Sequence, residues 1–167
     1  MKIMMKFLLA AFSAVVLCSC GGDPDPVPDP VPIPPVPSDT AVVGEWQLKS
    51  WSDDVDNAIS SGKVQVYLEL KKDGTFWLYE NFNTPGFKKI KGTFVYVEST
   101  KSISGTYSDG SAWAHNYAVS DLTTTAMKWT VTASGEFSTY AKTSIPADLV
   151  KAQAFEVSRG EAFYHFL

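Results

Sequence analysis

Residues 63–80 read KVQVYLELKKDGTFWLYE, and this stretch decides the fold. Apolar residues recur at every second position from Val64 to Leu70, with charged or amide side chains between most of them. This period of two is typical of a β-strand with one buried and one solvated face. Lys72-Asp73-Gly74-Thr75 supplies a tight turn in which the glycine is free to adopt a positive φ. The alternation resumes in TFWLYE, so the stretch predicts an antiparallel hairpin.

The same period extends through residues 41–167. In VVGEWQLKSW, residues 42–51, Val42, Trp46 and Leu48 share one face. After the hairpin, further alternating segments are separated by Gly, Asp, Asn or Ser: KKIKGTFVYV, SISGTYS, AWAHNYAVSDL, AMKWTVT and EFSTYAKT. About eight consecutive strands are predicted, and closure into a barrel lets such a meander bury its two edges. We predict an all-β, up-and-down, eight-stranded barrel with a short C-terminal helix.

Three segments depart from this pattern. SDDVDNAISSG, residues 52–62, lacks alternation and could hold one helical turn. IPADLVKAQAFEV carries Pro146 where a helix start tolerates it, and it spaces Val150, Ala154 and Val157 by four and three. This spacing predicts a short helix packed outside the barrel. EAFYHFL, residues 161–167, could add a terminal strand.

The amino-terminal residues have the order of an export signal. Lys2 and Lys6 precede an apolar run over residues 7–17. As a helix this run would rise about 16 Å, roughly half the thickness of a hydrocarbon core. Leu17-Cys18-Ser19-Cys20 then stands where an A-x-A-like cleavage site would be expected. These residues resemble the lipobox of bacterial lipoproteins. The resemblance implies a lipoprotein signal peptide over residues 1–19, loss of Cys18 with it, and a lipid on Cys20.

Other roles for the two cysteines fit less well. A disulfide between residues two apart closes a very small, strained ring. A zinc site needs about four ligands, and the other usual candidates, His115 and His165, lie far along the chain. We therefore predict no disulfide, no metal and no cofactor.

Residues 20–40 are predicted to form a tether behind the lipidated cysteine. Eight of the ten prolines and four aspartates lie there, and Pro-rich chain favours an extended conformation. At ~3.1 Å per residue the tether would hold the barrel roughly 50–60 Å from a membrane. A ligand for a proline-recognition domain is the alternative. The resemblance to bacterial lipoproteins implies an outer-membrane lipoprotein of a Gram-negative envelope, periplasmic or surface-exposed, with the membrane as its partner.

The charge of residues 41–167 argues against other partners. This segment carries 12 Lys and Arg against 14 Asp and Glu, a formal charge of −2. Such a balance gives no general electrostatic attraction to nucleic acid or anionic lipid. Its 127 residues suit one domain of unknown oligomeric state.

Gly44-Glu45-Trp46, on the first predicted strand, resembles the G-x-W signature of the lipocalins. The tryptophan of that signature closes the barrel floor, and the family fold is an eight-stranded meander around a small-molecule cup. More loosely, residues 41–167 resemble the short lipocalin-like domains of many Gram-negative lipoproteins. The second lipocalin signature, an acidic residue and an arginine near the closing strands, is not evident, since the only arginine is Arg159.

Aromatic residues on the predicted inward face are the candidate ligand contacts. An eight-stranded barrel is wide enough either to be filled by side chains or to hold one small ligand. The rings could stack on a flat apolar ligand, with tyrosines and His115 as polar handles, or they could form a solid core. The candidates are Trp46, Phe76, Phe94, Tyr96, Tyr107, Trp113, His115, Tyr117, Trp129 and Phe137.

Motifs for catalysis and metal binding are sparse. The sequence contains no G-x-S-x-G, H-E-x-x-H or G-x-x-x-x-G-K-[ST] pattern. His115 is interpreted as a barrel-lining residue, and His165 as a solvated or packed residue near the end of the sequence. Asp53, Asp54 and Asp56 could offer oxygen ligands to calcium, but their spacing departs from the EF-hand loop and favours a solvated loop. We predict no catalytic residue.

The leading functional hypothesis is non-catalytic binding of a small apolar or amphipathic ligand. The alternative is a surface module with a solid barrel that binds a protein or glycan. It is suggested by Trp51, Trp77 and Tyr79, which fall out of phase with the core and are predicted to be exposed. An enzyme would require His115 to face an accessible pocket beside a carboxylate.

Overall fold

Eight strands form a closed antiparallel barrel in which each strand pairs with the next and the last pairs with the first. The structure, a computed structural model, describes residues 40–54, 57–82, 86–151 and 165–167. This topology confirms the predicted all-β, up-and-down barrel, which is consistent with a lipocalin-like fold. The strands are β1 (Gly44–Trp51), β2 (Val66–Leu70), β3 (Thr75–Glu80), β4 (Lys88–Val97), β5 (Ser102–Tyr107), β6 (Tyr117–Ser120), β7 (Ala126–Val131) and β8 (Phe137–Lys142).

The predicted hairpin is formed by β2 and β3. Leu68 lies opposite Leu78, and both are buried, as the period of two requires. In the turn, Thr75 donates from its backbone N and from Oγ1 to Asp73 Oδ1, at 3.0 and 2.6 Å. Gly74 has a φ of +79°, which glycine adopts without strain. The hydrogen bond from the Thr75 hydroxyl holds the pKa of Asp73 below its usual value.

Aromatic rings fill much of the barrel interior. The Trp113 ring lies 5.2 Å from that of Phe76 and 5.9 Å from that of Trp129, centroid to centroid. Trp129 in turn lies 5.0 Å from Tyr140. A Cβ atom on Gly105 would stand 2.3 Å from Trp113 Cε2, so the glycine makes room for this ring. Below its mouth the barrel is therefore a packed core.

A short helix, α1 (Ala147–Lys151), packs on the outer wall, as predicted. Leu149 and Ile145 bury against Tyr67 and Tyr79 of the sheet. Ile145 N also donates to Glu45 Oε2 at 2.8 Å, which ties the segment before the helix to β1. The predicted helix positions 154 and 157 lie outside the described residues.

The loop after β1 forms turns around Asp54. Its Oδ1 accepts the backbone N–H of Ile59 at 3.0 Å, and Ser61 N donates to Asn57 O at 2.9 Å. Asp54 is thus a structural cap, and Asp56 lies outside the described residues. Within the described ranges, no group of three or more His, Cys, Asp or Glu side chains could hold a metal ion.

Several predictions fall wholly or partly outside the described residues. These are the signal peptide over 1–19, the lipidated Cys20 and the tether as far as residue 39. Residues 161–164 are also outside, and the described residues 165–167 are not in a strand. In the part of the chain that is described, no helix is long and apolar enough to cross a membrane.

Candidate functional site

One end of the barrel, termed the closed end, is covered by Trp46 and the 3-10 turn Thr40–Val42. Trp46 is fully buried, and its Nε1 donates to Val42 O at 2.9 Å. Lys142 Nζ lies 4.9 Å from the Trp46 ring and donates to Val43 O at 3.1 Å. Lys142, on β8, therefore places a positive charge beside the Trp46 ring. Gly44 has a φ of +143°, a conformation that side-chain-bearing residues rarely adopt.

The opposite end, termed the open end, is entered by the described residues 165–167. Leu167 is only 2% exposed and belongs to the main core. Tyr107 OH donates to Leu167 O at 2.7 Å. The Phe166 ring meets Trp51 and Phe82 edge to face, with centroids 5.5 and 6.0 Å apart. These contacts place the segment across part of the barrel mouth.

Glu80, at the end of β3, holds this segment. Its carboxylate is 1% exposed; Oε2 accepts Phe166 N at 2.9 Å, and Oε1 lies 3.0 Å from His165 Nδ1. Which of the two atoms, Glu80 Oε1 or His165 Nδ1, carries the hydrogen of this bond depends on the histidine tautomer. The His165 side chain is 6% exposed. Its Nε2 is buried and has no hydrogen-bond partner among the described residues.

A pocket of about 280 Å³, termed the mouth pocket, opens beside this pair. Aromatic rings form much of its wall, and imidazole, carboxyl and hydroxyl groups lie among them. This volume is just below the usual range of small-molecule sites, about 300–1,000 Å³. Its lining residues are Trp51, Phe82, Ala114, His115, Tyr117, Val131, Glu136, Phe137, Ser138, His165 and Phe166.

No family model matches the chain, and no curated protein or solved structure matches it either. The barrel and the geometry of the mouth pocket are therefore the observations from which function can be inferred. The mouth pocket is apolar over most of its wall and carries a few polar groups. That combination is typical of small-molecule binding sites.

Eight of the ten candidate ligand contacts are buried inside the barrel, and their role as ligand contacts stays a prediction. Of these eight, Tyr117 lines the mouth pocket, and the others pack with neighbouring side chains in the core. Most of the residues that the sequence predicted to contact a ligand are therefore part of the packed core of the barrel. The eight are Trp46, Phe76, Phe94, Tyr96, Tyr107, Trp113, Tyr117 and Trp129.

The inward orientation predicted for His115 is wrong. The chain bends at Ala114 and β6 begins only at Tyr117, so the alternation that starts at Trp113 is interrupted. His115 is exposed and meets the Tyr117 ring edge to face, at 6.2 Å. It lies at the rim of the mouth pocket. Among the described residues His115 has no hydrogen bond to a carboxylate.

The inward orientation predicted for Phe137 is also wrong. Phe137 pairs with Thr130, whereas its neighbours Ser138 and Tyr140 are buried. The Phe137 ring lies 4.2 Å from Lys128 Nζ and is half-buried on the outer face. Phe137 and Tyr140 stand three apart, so only one of them can face inward on a regular strand. Tyr140 is the one that faces inward, where its ring lies 5.0 Å from that of Trp129.

Sequence reasoning missed the residues that hold the polar side of the pocket. Glu80 had a signal, because it is in phase with Phe76 and Leu78 and should therefore face inward at the end of β3. Ser138 is in phase with Tyr140 in the same way. His165 had no local signal, since its partner Glu80 lies 85 residues away in the sequence.

Buried tyrosines supply neutral hydrogen-bond donors at this end. Burial raises the pKa of Tyr107, Tyr117 and Tyr140 well above the usual value. The negative charge of Glu80 adds to the shift of the Tyr107 pKa. The Tyr107 hydroxyl therefore keeps its hydrogen and donates it to Leu167 O.

The three aromatic residues that were expected to be exposed are all at least partly covered. Tyr79 is buried beneath α1, and Trp51 is partly buried against the core. Trp77 packs against the outer cluster, and Lys89 Nζ lies 4.6 Å from its ring centroid. The prediction that these rings form an exposed surface is wrong for Tyr79 and only partly right for the two tryptophans.

Proposed function

We propose that this chain is a lipid-anchored protein of a Gram-negative cell envelope whose lipocalin-like barrel binds a small apolar or amphipathic molecule without transforming it. The observation that carries the binding proposal is the contrast between the two barrel ends. The closed end is covered by Trp46 and the 3-10 turn, whereas the open end has a pocket of about 280 Å³ with aromatic, imidazole, carboxyl and hydroxyl groups in its wall.

The ligand site belongs at the barrel mouth rather than deep in the barrel. Trp129 and Phe76 are fully buried by their neighbours, so they are already covered in the structure described. Trp51, Phe82 and Phe166 form an edge-to-face trio that walls the mouth pocket. Aromatic walls of this kind favour a flat apolar ligand.

Non-catalytic binding is proposed because the described residues of the site include no arranged pair of nucleophile and base. His115 is exposed and without a carboxylate partner among the described residues. His165 uses Nδ1 to bind Glu80, which orients the ring. Ser138, the buried hydroxyl of the pocket, donates to Tyr140 OH at 3.4 Å rather than to an imidazole of the described residues.

A blocking variant tests the ligand site. Ala114→Trp places a large ring at the pocket wall, and Ala118→Trp adds the same ring to an exposed position on β6 that does not line the pocket. The affinity for a naphthalene-based fluorescent dye should fall at least about tenfold in the first variant and change little in the second. Native mass spectrometry would show any molecule that copurifies. Equal dye affinity in both variants would count against the mouth pocket.

A pair of cysteine variants tests the anchor. The lipobox resemblance predicts that Cys20→Ala abolishes incorporation of an alkyne-labelled fatty acid and releases the protein from the membrane fraction. Cys18→Ala is the matched control, since Cys18 is predicted to leave with the signal peptide. Labelling that survives Cys20→Ala would exclude the proposed lipidation site and leave the ligand proposal untouched.

A second candidate function, protein or glycan binding on the outer wall, keeps one supporting observation. A groove of about 430 Å³ runs beside Trp77, with Lys91, Thr93 and Thr106 along it. A half-buried tryptophan beside hydroxyl groups suits stacking against a sugar ring. Glycan-array binding that is lost in Trp77→Ala and kept in Ala114→Trp would favour this candidate over the first.

A further inference from the structure

We propose that residues 165–167 are an internal ligand of the open end, and that the molecule bound there is an apolar amide that displaces them. The inference rests on the proposed function, because it names the ligand class of the same end of the barrel. It goes beyond that function by making the segment a competitor of the ligand. In the free protein the three residues keep the inner part of the site filled.

The segment is attached to the barrel through side chains rather than through a β-ladder. Residues 165–167 are not in a strand, and no backbone–backbone hydrogen bond joins them to another described residue. Glu80 Oε2 accepts the N–H of Phe166 at 2.9 Å, and Tyr107 OH donates to Leu167 O at 2.7 Å. Each barrel strand, in contrast, pairs with two neighbouring strands. The segment can therefore leave the open end while every pair of strands stays intact.

Burial of His165 carries a cost that release of the segment removes. The His165 side chain is 6% exposed, and its Nε2 has no hydrogen-bond partner among the described residues. Buried polar atoms are nearly always paired, and an unpaired one lowers the stability of the state that buries it. In the released segment Nε2 bonds to water. Leu167 and Glu80 thus hold the segment in place while His165 favours its release, a balance that a ligand can shift.

The space that the segment fills adjoins the mouth pocket. His165 and Phe166 form part of the pocket wall, and Leu167, the next residue, is 2% exposed within the main core. Release of the segment therefore extends the pocket of about 280 Å³ inward. The Phe166 ring meets Trp51 and Phe82 edge to face, so a ligand ring that replaces it contacts the same aromatic wall. The enlarged site suits a molecule with an aromatic ring and a branched aliphatic group.

The polar contacts of the segment identify the functional group of the ligand. Glu80 Oε2 accepts from an N–H, and the Tyr107 hydroxyl donates to a carbonyl oxygen. Glu80 is 1% exposed, so a ligand that displaced the segment without supplying a donor would leave a buried carboxylate oxygen unpaired. Sites built to hydrogen-bond a polar group strongly reject analogues that lack it. An amide supplies both the donor and the acceptor without adding a charge.

The test titrates the full chain with N-acetyl-phenylalanyl-leucinamide, which has two side chains and the amides of the segment. The matched control is the same peptide with a methyl group on the phenylalanine nitrogen, which removes the N–H directed at Glu80. We expect the control to bind at least about tenfold more weakly, because the carboxylate loses a donor. Calorimetry gives both dissociation constants. The NMR amide resonances of Phe166 and Leu167 report displacement, since released residues give the sharp, poorly dispersed lines of an unstructured chain.

Two variants test the competition between the peptide and the segment. Leu167→Ala weakens the internal ligand by removing its buried side chain, so the peptide should bind at least about tenfold more tightly than to the native chain. Val150→Ala removes a side chain that is 42% exposed and does not line the mouth pocket, so it should leave the affinity unchanged. Circular dichroism confirms that each variant is folded. Unchanged affinity in folded Leu167→Ala would exclude competition; if that variant does not fold, the peptide titrations of the native chain decide.

The outcomes separate this inference from the proposed function. A naphthalene dye without an amide group tests the mouth pocket independently. If the dye binds there but the peptide does not, or if the peptide leaves the Phe166 and Leu167 resonances unchanged, the ligand site stands and the internal-ligand inference is wrong. Equal affinity for the two peptides overturns the choice of an amide. If neither dye nor peptide binds, the proposed function is wrong as well. Displacement of the segment by the unmethylated peptide, with tighter binding in Leu167→Ala alone, supports the inference.

Discussion

The closed and open ends of the barrel bury polar groups in different ways. At the closed end, the buried Trp46 Nε1 has its acceptor, Val42 O, and Lys142 pairs with Val43 O. At the open end, both carboxylate oxygens of Glu80 have partners, but Nε2 of its partner His165 has none among the described residues. An unpaired buried group costs about 1–3 kcal/mol of stability. The closed end thus avoids the cost of an unpaired group, whereas the open end bears it. The open end is therefore the better candidate for binding.

The largest expected difference between the ends comes from removing one tryptophan at each. Trp46→Ala should lower the free energy of unfolding by about 3–5 kcal/mol, because the ring is fully buried. Trp51→Ala should lower it by only about 1–2 kcal/mol, since that ring is partly buried. Urea denaturation followed by circular dichroism measures both. Equal losses would mean that the two ends contribute alike to stability.

Leu167 tests whether the segment at the open end is part of the core. Leu167→Ala should destabilise the fold by about 2–3 kcal/mol, because the side chain is buried among core residues. Val150→Ala is the control, since Val150 is 42% exposed and should change stability by less than about 0.5 kcal/mol. Thermal melts give both values. An unchanged melting temperature in Leu167→Ala would show that residues 165–167 contribute little to the fold.

Gly44 tests how the closed end is built. Its φ of +143° is strained for other residues, and an added Cβ would stand 2.6 Å from Lys142 Cε. Gly44→Ala should therefore destabilise the barrel by about 1–2 kcal/mol. Gly86→Ala is the matched control, because nothing lies within 4 Å of its Cβ position and its φ is not positive. Equal melting temperatures for the two variants would argue against a special backbone at Gly44.

The smallest expected effect concerns one turn aspartate near each end. Hydrogen bonds from the hydroxyls of Thr75 and Ser111 lower the pKa of Asp73 and Asp109, respectively. A lowered pKa in the folded state stabilises the fold above the unfolded value of about 3.8, and this contribution is lost as the pH falls through the folded pKa. Asp73→Asn and Asp109→Asn should each slightly reduce the loss of melting temperature between pH 5 and pH 2.5. Unchanged acid sensitivity in both variants would contradict these shifts.

The sequence predicted the barrel well because period two and turn residues are local signals. Thr75–Glu80 and Lys88–Val97 begin and end where their alternation does. His115 and Phe137 were misplaced for different reasons: a bend at Ala114 resets the phase in the first case, and two rings of opposite phase compete for the interior in the second. The pair of Glu80 and His165 could not be predicted, because a contact across 85 residues leaves no periodic signal.

The pairing of β1 with β8 has a consequence for how the protein reaches its fold. Trp46 lies opposite Lys142, so the contact that closes the barrel joins distant parts of the chain. Proteins with such high contact order fold slowly. During synthesis, β1 has only β2 as a neighbour until β8 has been made, and its second edge stays open to other chains. We expect the interval before closure to be the period in which this protein is most prone to aggregation.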